Sequence, residues 1–235
     1  LKNIIQEKGK LLEVLPEDGL AVLNYDDQNV RQMAKKTKAK VIWYEFNEKA
    51  DFWADRIKVA LKGTHFRLHY NNSTAKLETE LVGKHFVHSC LVATIIGLNQ
   101  GLSWQQINKG LKKLKPLPGR VSIEKGPKGS ILINDSLRAN PASTKAGLEL
   151  LSKLKTNHKK IAVLGEMGEL GKFAKKAHQE IGRLTAKLEI DYLIGIGPLQ
   201  KLTTQAALKG GMNKKQIFWV DDLIEAAKEL ETIIN

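Results

Sequence analysis

The segment Lys115-Pro116-Leu117-Pro118-Gly119 constrains this chain more than any other. A proline removes a backbone donor and fixes φ, and it also biases the residue before it away from helix. Two prolines in three positions, followed by a glycine, make a break that no helix or central strand crosses. The break falls at the middle of 235 residues. It predicts two domains, residues 1–117 and 118–235, each building its own core from a chain that is 42% hydrophobic.

Before the break, Leu1, Ile4, Ile5, Leu11 and Leu12 recur at helical spacing up to Val14. Pro16 and the turn Glu17-Asp18-Gly19 end that helix. Residues 20–24 read as a short buried strand, 30–36 as a short helix and 40–46 as a second strand. That β-α-β order implies parallel pairing. From Asp51 to Val82 the pattern changes: 64–70 alternates, turns at Asn71-Asn72 and resumes over 75–82, which predicts an antiparallel hairpin. Helices follow at 85–98 and 103–114, the second with Ser103 as its N-cap. After the break, strands at 121–124, 130–133, 160–164, 192–196 and 217–220 alternate with helices at 141–154, 173–188, 199–207 and 223–233. Phe173, Ala177, Ile181, Leu184 and Leu188 form one apolar stripe. The fold class is therefore α/β: a parallel sheet carrying an antiparallel hairpin, then a Rossmann-like, doubly wound domain.

Composition excludes several functions. The net charge is +13, yet it divides as +7 before the break and +6 after it, with no basic tail. The densest run, Lys35, Lys36, Lys38 and Lys40, stands where the short helix ends, a place that suits cations. Aromatic residues are only 6%, a thin supply of stacking surfaces, and no nucleic-acid partner is expected. No uncharged apolar run approaches the ~18 residues of a membrane span, and no signal-peptide pattern opens the chain. The single cysteine, Cys90, excludes an internal disulfide framework and a Cys-rich metal site, and reads as a core residue. The expectation is a cytoplasmic protein with no membrane association. His85 and His88 lie three residues apart on one helix, but no third metal ligand stands at a suitable spacing.

In open α/β sheets, ligands bind beyond the C-terminal ends of the strands. In the turn at 134–141, Asn140 suits an N-cap and Pro141 the first helical position. There Asp135 has the chemistry to accept from ribose hydroxyls and Arg138 to meet a phosphate or carboxylate, although Asn and Asp are equally at home in plain turns. The turn Gly165-Glu166-Met167-Gly168-Glu169-Leu170-Gly171 has glycines every third residue but fails the dinucleotide template. Glu166 and Glu169 would repel phosphate, so the loop fits an ammonium group or, as the favoured reading, structure alone. A third turn, 195–198, reads as a tight turn with Pro198 opening a helix. The phosphate-loop pattern G-x-x-x-x-G-K-[ST] occurs nowhere in the sequence.

These residues together resemble the Mur ligases, and within that superfamily the MurF type, which adds D-alanyl-D-alanine. The resemblance rests on EKGKLLEVLPEDG around Lys8, on Leu23-Asn24-Tyr25-Asp26-Asp27, on Gly83-Lys84-His85 and on Leu117-Pro118-Gly119-Arg120. It continues through Asn134-Asp135-Ser136 with Ala139-Asn140-Pro141, VLGEMGELG at 163–171, and the H-x-x-x-G pattern of His178 and Gly182, covering nearly the whole chain. Family members have a UDP-sugar domain, a central ATPase domain and a C-terminal Rossmann-like domain. The resemblance therefore implies a C-terminal portion that lacks the first domain and the P-loop half of the second, stops at Asn235 short of the last strands, and is inactive by itself.

The implied reaction is an ATP-dependent amide ligation in peptidoglycan precursor synthesis. A carboxylate of UDP-N-acetylmuramoyl-tripeptide attacks the γ-phosphate, and the amine of D-alanyl-D-alanine displaces phosphate from the acyl phosphate. ATP and Mg²⁺ are the implied cofactors, and the full-length protein is expected to be a monomer. By resemblance, Lys8, Arg120 and Asp135 are catalytic, Lys8 as a carbamylated Mg²⁺ ligand and Arg120 near the ATP phosphates. His85, Arg120, Asn134 and Asp135 face the nucleotide, Asp135 near its ribose. Arg138, Asn140, Glu166 and Glu169 serve the substrates. The sequence departs from the family at Phe86 and Ser89, where asparagines are usual, and at Asn134, Leu137 and Arg138, which replace an acid, an aromatic ring and an amide. Phe86 has no side-chain hydrogen bond to offer. Another Mur or folylpolyglutamate-type ligase, or a non-enzymatic nucleotide-binding module, is the alternative.

Overall fold

A computed structural model describes residues 2–234. Leu1, the first residue of the expected helical pattern, lies outside them. The chain divides into two units, Leu1–Lys115 and Pro116–Asn235.

In the first unit, helix α1 (Lys2–Glu13) precedes strand β1 (Leu20–Asn24), helix α2 (Gln28–Met33) and strand β2 (Lys40–Glu45). β1 and β2 pair in parallel from Leu20↔Lys40 to Asn24↔Tyr44. Strand β3 (Phe52–Ala60) joins β2 in parallel, and β4 (Gly63–Tyr70) and β5 (Ser73–Thr79) complete a five-stranded sheet by antiparallel pairing. The hairpin turn falls on Asn71 and Asn72, both with positive φ, a conformation asparagine tolerates better than most residues. Helices α3 (His85–Asn99) and α4 (Trp104–Lys112) cover the sheet. Phe52, Ala54, Phe66, Leu68 and Leu77 pack there with Val87, Cys90, Leu91, Ile95, Ile107 and Leu111. Ser103 closes the start of α4 with a reciprocal capping box to Gln106, as its position suggested.

The sequence does not mark β3 as a strand, and the reason is local. A register shift between Asp55 and Lys58, with Arg56 at φ 47°, breaks the alternation that marks a strand. The short helix expected at 30–36 is an α-helix over Gln28–Met33 followed by one 3₁₀ turn, Ala34–Lys36.

In the second unit, β6 (Ser122–Lys125) and β7 (Ile131–Asn134) pair with each other as a separate antiparallel hairpin. Helix α5 (Pro141–Lys153), strand β8 (Ile161–Leu164), helix α6 (Ala174–Lys187), strand β9 (Tyr192–Ile196), helix α7 (Gln200–Lys209), strand β10 (Ile217–Val220) and helix α8 (Leu223–Ile233) follow. The three strands form a parallel sheet in the order β10-β9-β8. Successive side chains of a strand point to opposite faces, and β9 shows the consequence. Leu193 packs with Leu148, Ala177, Ile181 and Ala207 of α5, α6 and α7, whereas Ile194 packs with Ala226 and Ile233 of α8. Helices thus lie on both faces of one sheet, the doubly wound plan.

Candidate functional site

In the first unit, the residues that follow β1 and β2 meet the start of α3. Asn24 Oδ1 accepts the Asp26 amide at 2.9 Å, which turns the chain at the end of β1. Asp26 Oδ2 in turn accepts the Phe46 amide at 3.2 Å and lies 3.0 Å from His88 Nε2. The His88 ring stacks on Phe46 with centroids 3.9 Å apart, and Lys84 Nζ lies 4.5 Å from the centre of the Phe46 ring. Burial pushes the His88 pKa down, with Lys84 adding to it and the Asp26 carboxylate opposing. The lowered pKa favours the neutral ring, in which an Nε2–H would donate to Asp26. Gly83, at φ 142°, lets the exposed His85 ring lie where a β-carbon would stand, 2.5 Å from Cε1. Lys8 is exposed on α1 and forms no ion pair among the described residues. Burial pushes the Cys90 thiol up to about 11, so it is a core group and not a nucleophile.

The second unit carries Arg120, Asn134, Asp135, Arg138, Asn140, Glu166 and Glu169. Arg120 sits in a tight turn, its amide donating to Leu117 O at 2.9 Å. The next residue, Val121, is 3% exposed with φ 55°. A β-branched side chain in the left-handed region costs about 1–3 kcal/mol. Gly119 O accepts the Leu137 amide at 3.0 Å and links this turn to the one after β7.

In that second turn, side chains are spent locally. Asn134 Nδ2 donates to Glu124 Oε1 at 3.0 Å, while its Oδ1 accepts from Ser136 Oγ at 2.8 Å and the Ser136 amide at 3.2 Å. Hydrogen bonds from Ser122 and Asn134 hold the Glu124 carboxyl below its usual range. Asn140 Oδ1 caps α5 by accepting the amides of Ala142 and Ser143, both at 3.0 Å. The Asp135 carboxylate lies beside α5, with Oδ2 3.7 Å from where a β-carbon on Gly147 would be. Arg138 is exposed at φ 60°, a strain that asparagine would relieve.

The loop after β8 is held from outside itself. His178, fully buried on α6, places Nε2 3.2 Å from the Met167 amide. Gln200 Nε2 on α7 donates to Gly165 O, and Glu166 Oε1 accepts the Leu199 amide at 2.6 Å. Gly197, at φ 98°, leaves room for that carboxylate, since a β-carbon there would lie 3.1 Å from Oε1. Glu169 is exposed at φ 60°. Around Gly165, Gly168 and Gly171 a β-carbon would meet nothing within 4 Å. The sequence does not single out Asp26 with His88, nor His178 and Gln200 as braces of one loop, because these residues meet their partners only in three dimensions.

Among the described residues, no group of three or more His, Cys, Asp or Glu side chains stands ready for a metal ion. The residues present do not by themselves make the Mg²⁺ site that the resemblance implies. Among the same residues, no helix is long and apolar enough to cross a membrane.

The two-unit α/β plan and the turns beyond its parallel strands define a class. The chain belongs to the Mur ligase family: the Mur ligase middle domain matches residues 1–97 and the Mur ligase glutamate ligase domain residues 119–234. UDP-N-acetylmuramoyl-tripeptide--D-alanyl-D-alanine ligase of Mycobacterium bovis is 34% identical over 200 residues, covering 83% of this chain and 39% of that protein. The enzyme of the same name from Bacillus subtilis is 29% identical over 230 residues, covering 97% of this chain and 49% of its own. The chain thus spans half or less of these relatives' length. The crystal structure of MurF from Acinetobacter baumannii shares the fold, with a TM-score of 0.85 at 24% identity over 99% of this chain and 49% of that one. MurF of Thermotoga maritima, solved in complex with ADP, does so with a TM-score of 0.81 at 20% identity, covering 98% and 51%.

Proposed function

We propose that the protein of which these residues are part is an ATP-dependent ligase that joins D-alanyl-D-alanine to UDP-N-acetylmuramoyl-tripeptide through an acyl phosphate. The observation that carries this reading is the joint presence of VLGEMGELG and Ala139-Asn140-Pro141 in a chain whose relatives bear that activity in their names. Phosphoryl transfer spreads negative charge over phosphate oxygens, so the protein's part is to position and neutralise. Arg120 is assigned to the phosphates; His85, Asn134 and Asp135 are assigned to the nucleoside side. Carboxylates only accept hydrogen bonds, which suits Glu166 and Glu169 to the ammonium group of the dipeptide. Arg138 and Asn140 flank the carboxylate substrate. Lys8 would become a ligand for Mg²⁺ only once carbamylated.

Purified full-length protein, ATP and the two substrates test the reading by release of phosphate coupled to amide formation. Transfer to L-alanine or glutamate in place of the dipeptide would assign the protein to another branch of the family. Asp135→Ala is expected to raise the KM for ATP on the order of tenfold, and Lys8→Ala to abolish turnover. An unchanged ATP dependence removes Asp135 from the nucleotide site.

A further inference from the structure

His178 is a polar ring in an apolar setting, on a helix whose neighbours Ala177 and Ile181 belong to the core with Met167. A leucine would fill such a place, so packing alone does not account for an imidazole. Its hydrogen bonds do. Nδ1 lies 2.8 Å from Ala174 O, and Nε2 lies 3.2 Å from the Met167 amide nitrogen. A carbonyl only accepts and a backbone amide only donates. The ring is therefore neutral, with its proton on Nδ1 and its Nε2 lone pair directed at the loop.

We propose that His178 is a positioning residue that sets the shape of the loop 165–171, so that the loop presents its open face and its two carboxylates to the amine substrate. The inference rests on the ligase reading above and deepens it. Met167 is 2% exposed, and without Nε2 its amide would be a buried donor with no acceptor, which proteins rarely tolerate. The loop is gripped at three successive residues: Gly165 by Gln200, Glu166 through Leu199, and Met167 by His178. Beyond those grips, Gly168 and Glu169 are exposed, and the loop's glycines border open space. The grips come from α6 and from the start of α7. What they fix is the outward geometry, and a fixed geometry is what an amine needs in order to arrive in line with an acyl phosphate.

Two variants and two measurements test this. In His178→Gln the side-chain oxygen replaces the Nε2 acceptor; in His178→Leu nothing does. In the 235-residue chain, long-range proton–nitrogen NMR is expected to show His178 protonated at Nδ1 alone. Hydrogen exchange at Met167 is expected to be slow in wild type and His178→Gln, and at least tenfold faster in a folded His178→Leu. In the full-length enzyme, His178→Leu is expected to raise the KM for D-alanyl-D-alanine roughly tenfold or more, leave the KM for ATP within about twofold, and be largely rescued by His178→Gln. A ring protonated at Nε2, unchanged exchange at Met167 in His178→Leu, or equal shifts in both KM values overturns the proposal. The expected NMR result with an unmoved dipeptide KM also overturns it, by removing the loop from the amine site. Absence of ligation by the wild-type enzyme is a failure of the ligase reading instead.

Discussion

Two loops of the second unit follow β7 and β8, and they are held in opposite ways. In the turn at 134–140 the side-chain ties are local: Asn134 and Asn140 bind backbone and side-chain groups within ten residues of themselves, and the Leu137 amide reaches back to Gly119 O. The loop at 165–171 makes its side-chain ties to partners 11, 33 and 35 residues away. A turn whose side chains are tied so close by depends mainly on nearby sequence. A loop braced from two helices depends on how closely those helices approach, so its shape reports the packing of the whole unit.

The largest expected effect breaks the brace without touching the loop. Gly182 stands one turn beyond His178 on α6, and a β-carbon there would come within 2.0 Å of Thr203 O and 2.9 Å of Ala206 Cβ on α7. Gly182→Ala must push α6 from α7, and it is expected to cost about 2–3 kcal/mol in urea unfolding of the second unit. A loss below about 0.5 kcal/mol would mean that the two helices adjust freely and that the brace is slack. Asn140→Ala removes the cap of α5 and is expected to cost about 1 kcal/mol, with hydrogen exchange in 165–171 unchanged. Exchange that rises in both loops would erase the distinction between them. The smallest effect concerns the open face. Gly168→Ala should leave stability unchanged or raise it by about 0.5 kcal/mol, because the added methyl meets nothing and the unfolded chain loses freedom. A clear destabilisation would show that the face is closed in solution.

The same distinction explains what was legible in the sequence. Tyr192–Ile196, Ile217–Val220 and Leu223–Ile233 were readable to the residue, because turn residues punctuate short apolar runs. The caps at Ser103 and Asn140 were readable because a cap and its partners lie within three residues. β3 was hidden by its bulge, and the mutual pairing of β6 with β7 by the fact that a strand's own residues do not name its partner. In the candidate site, the motif residues were visible as motifs, and Glu166 and Asn140 were singled out. What each of them binds was not, except for the cap. His178 lies slightly off the apolar stripe of its helix, and sequence alone gave it no role. Its partner Met167 and the grip of Gln200 on Gly165 emerge only when strand ends and helix starts are brought together.

Strand β9 carries one more consequence. Leu193 and Ile194 are both wholly buried, and adjacent residues of this one strand anchor the cores on the two faces of the sheet. Neither layer of helices can peel away alone without laying bare a side of the strand that the other layer still holds. The two layers are thereby tied into a single melting unit. The amides of β9 should be the last in this half of the chain to trade their protons with solvent, because only the loss of both layers at once releases them.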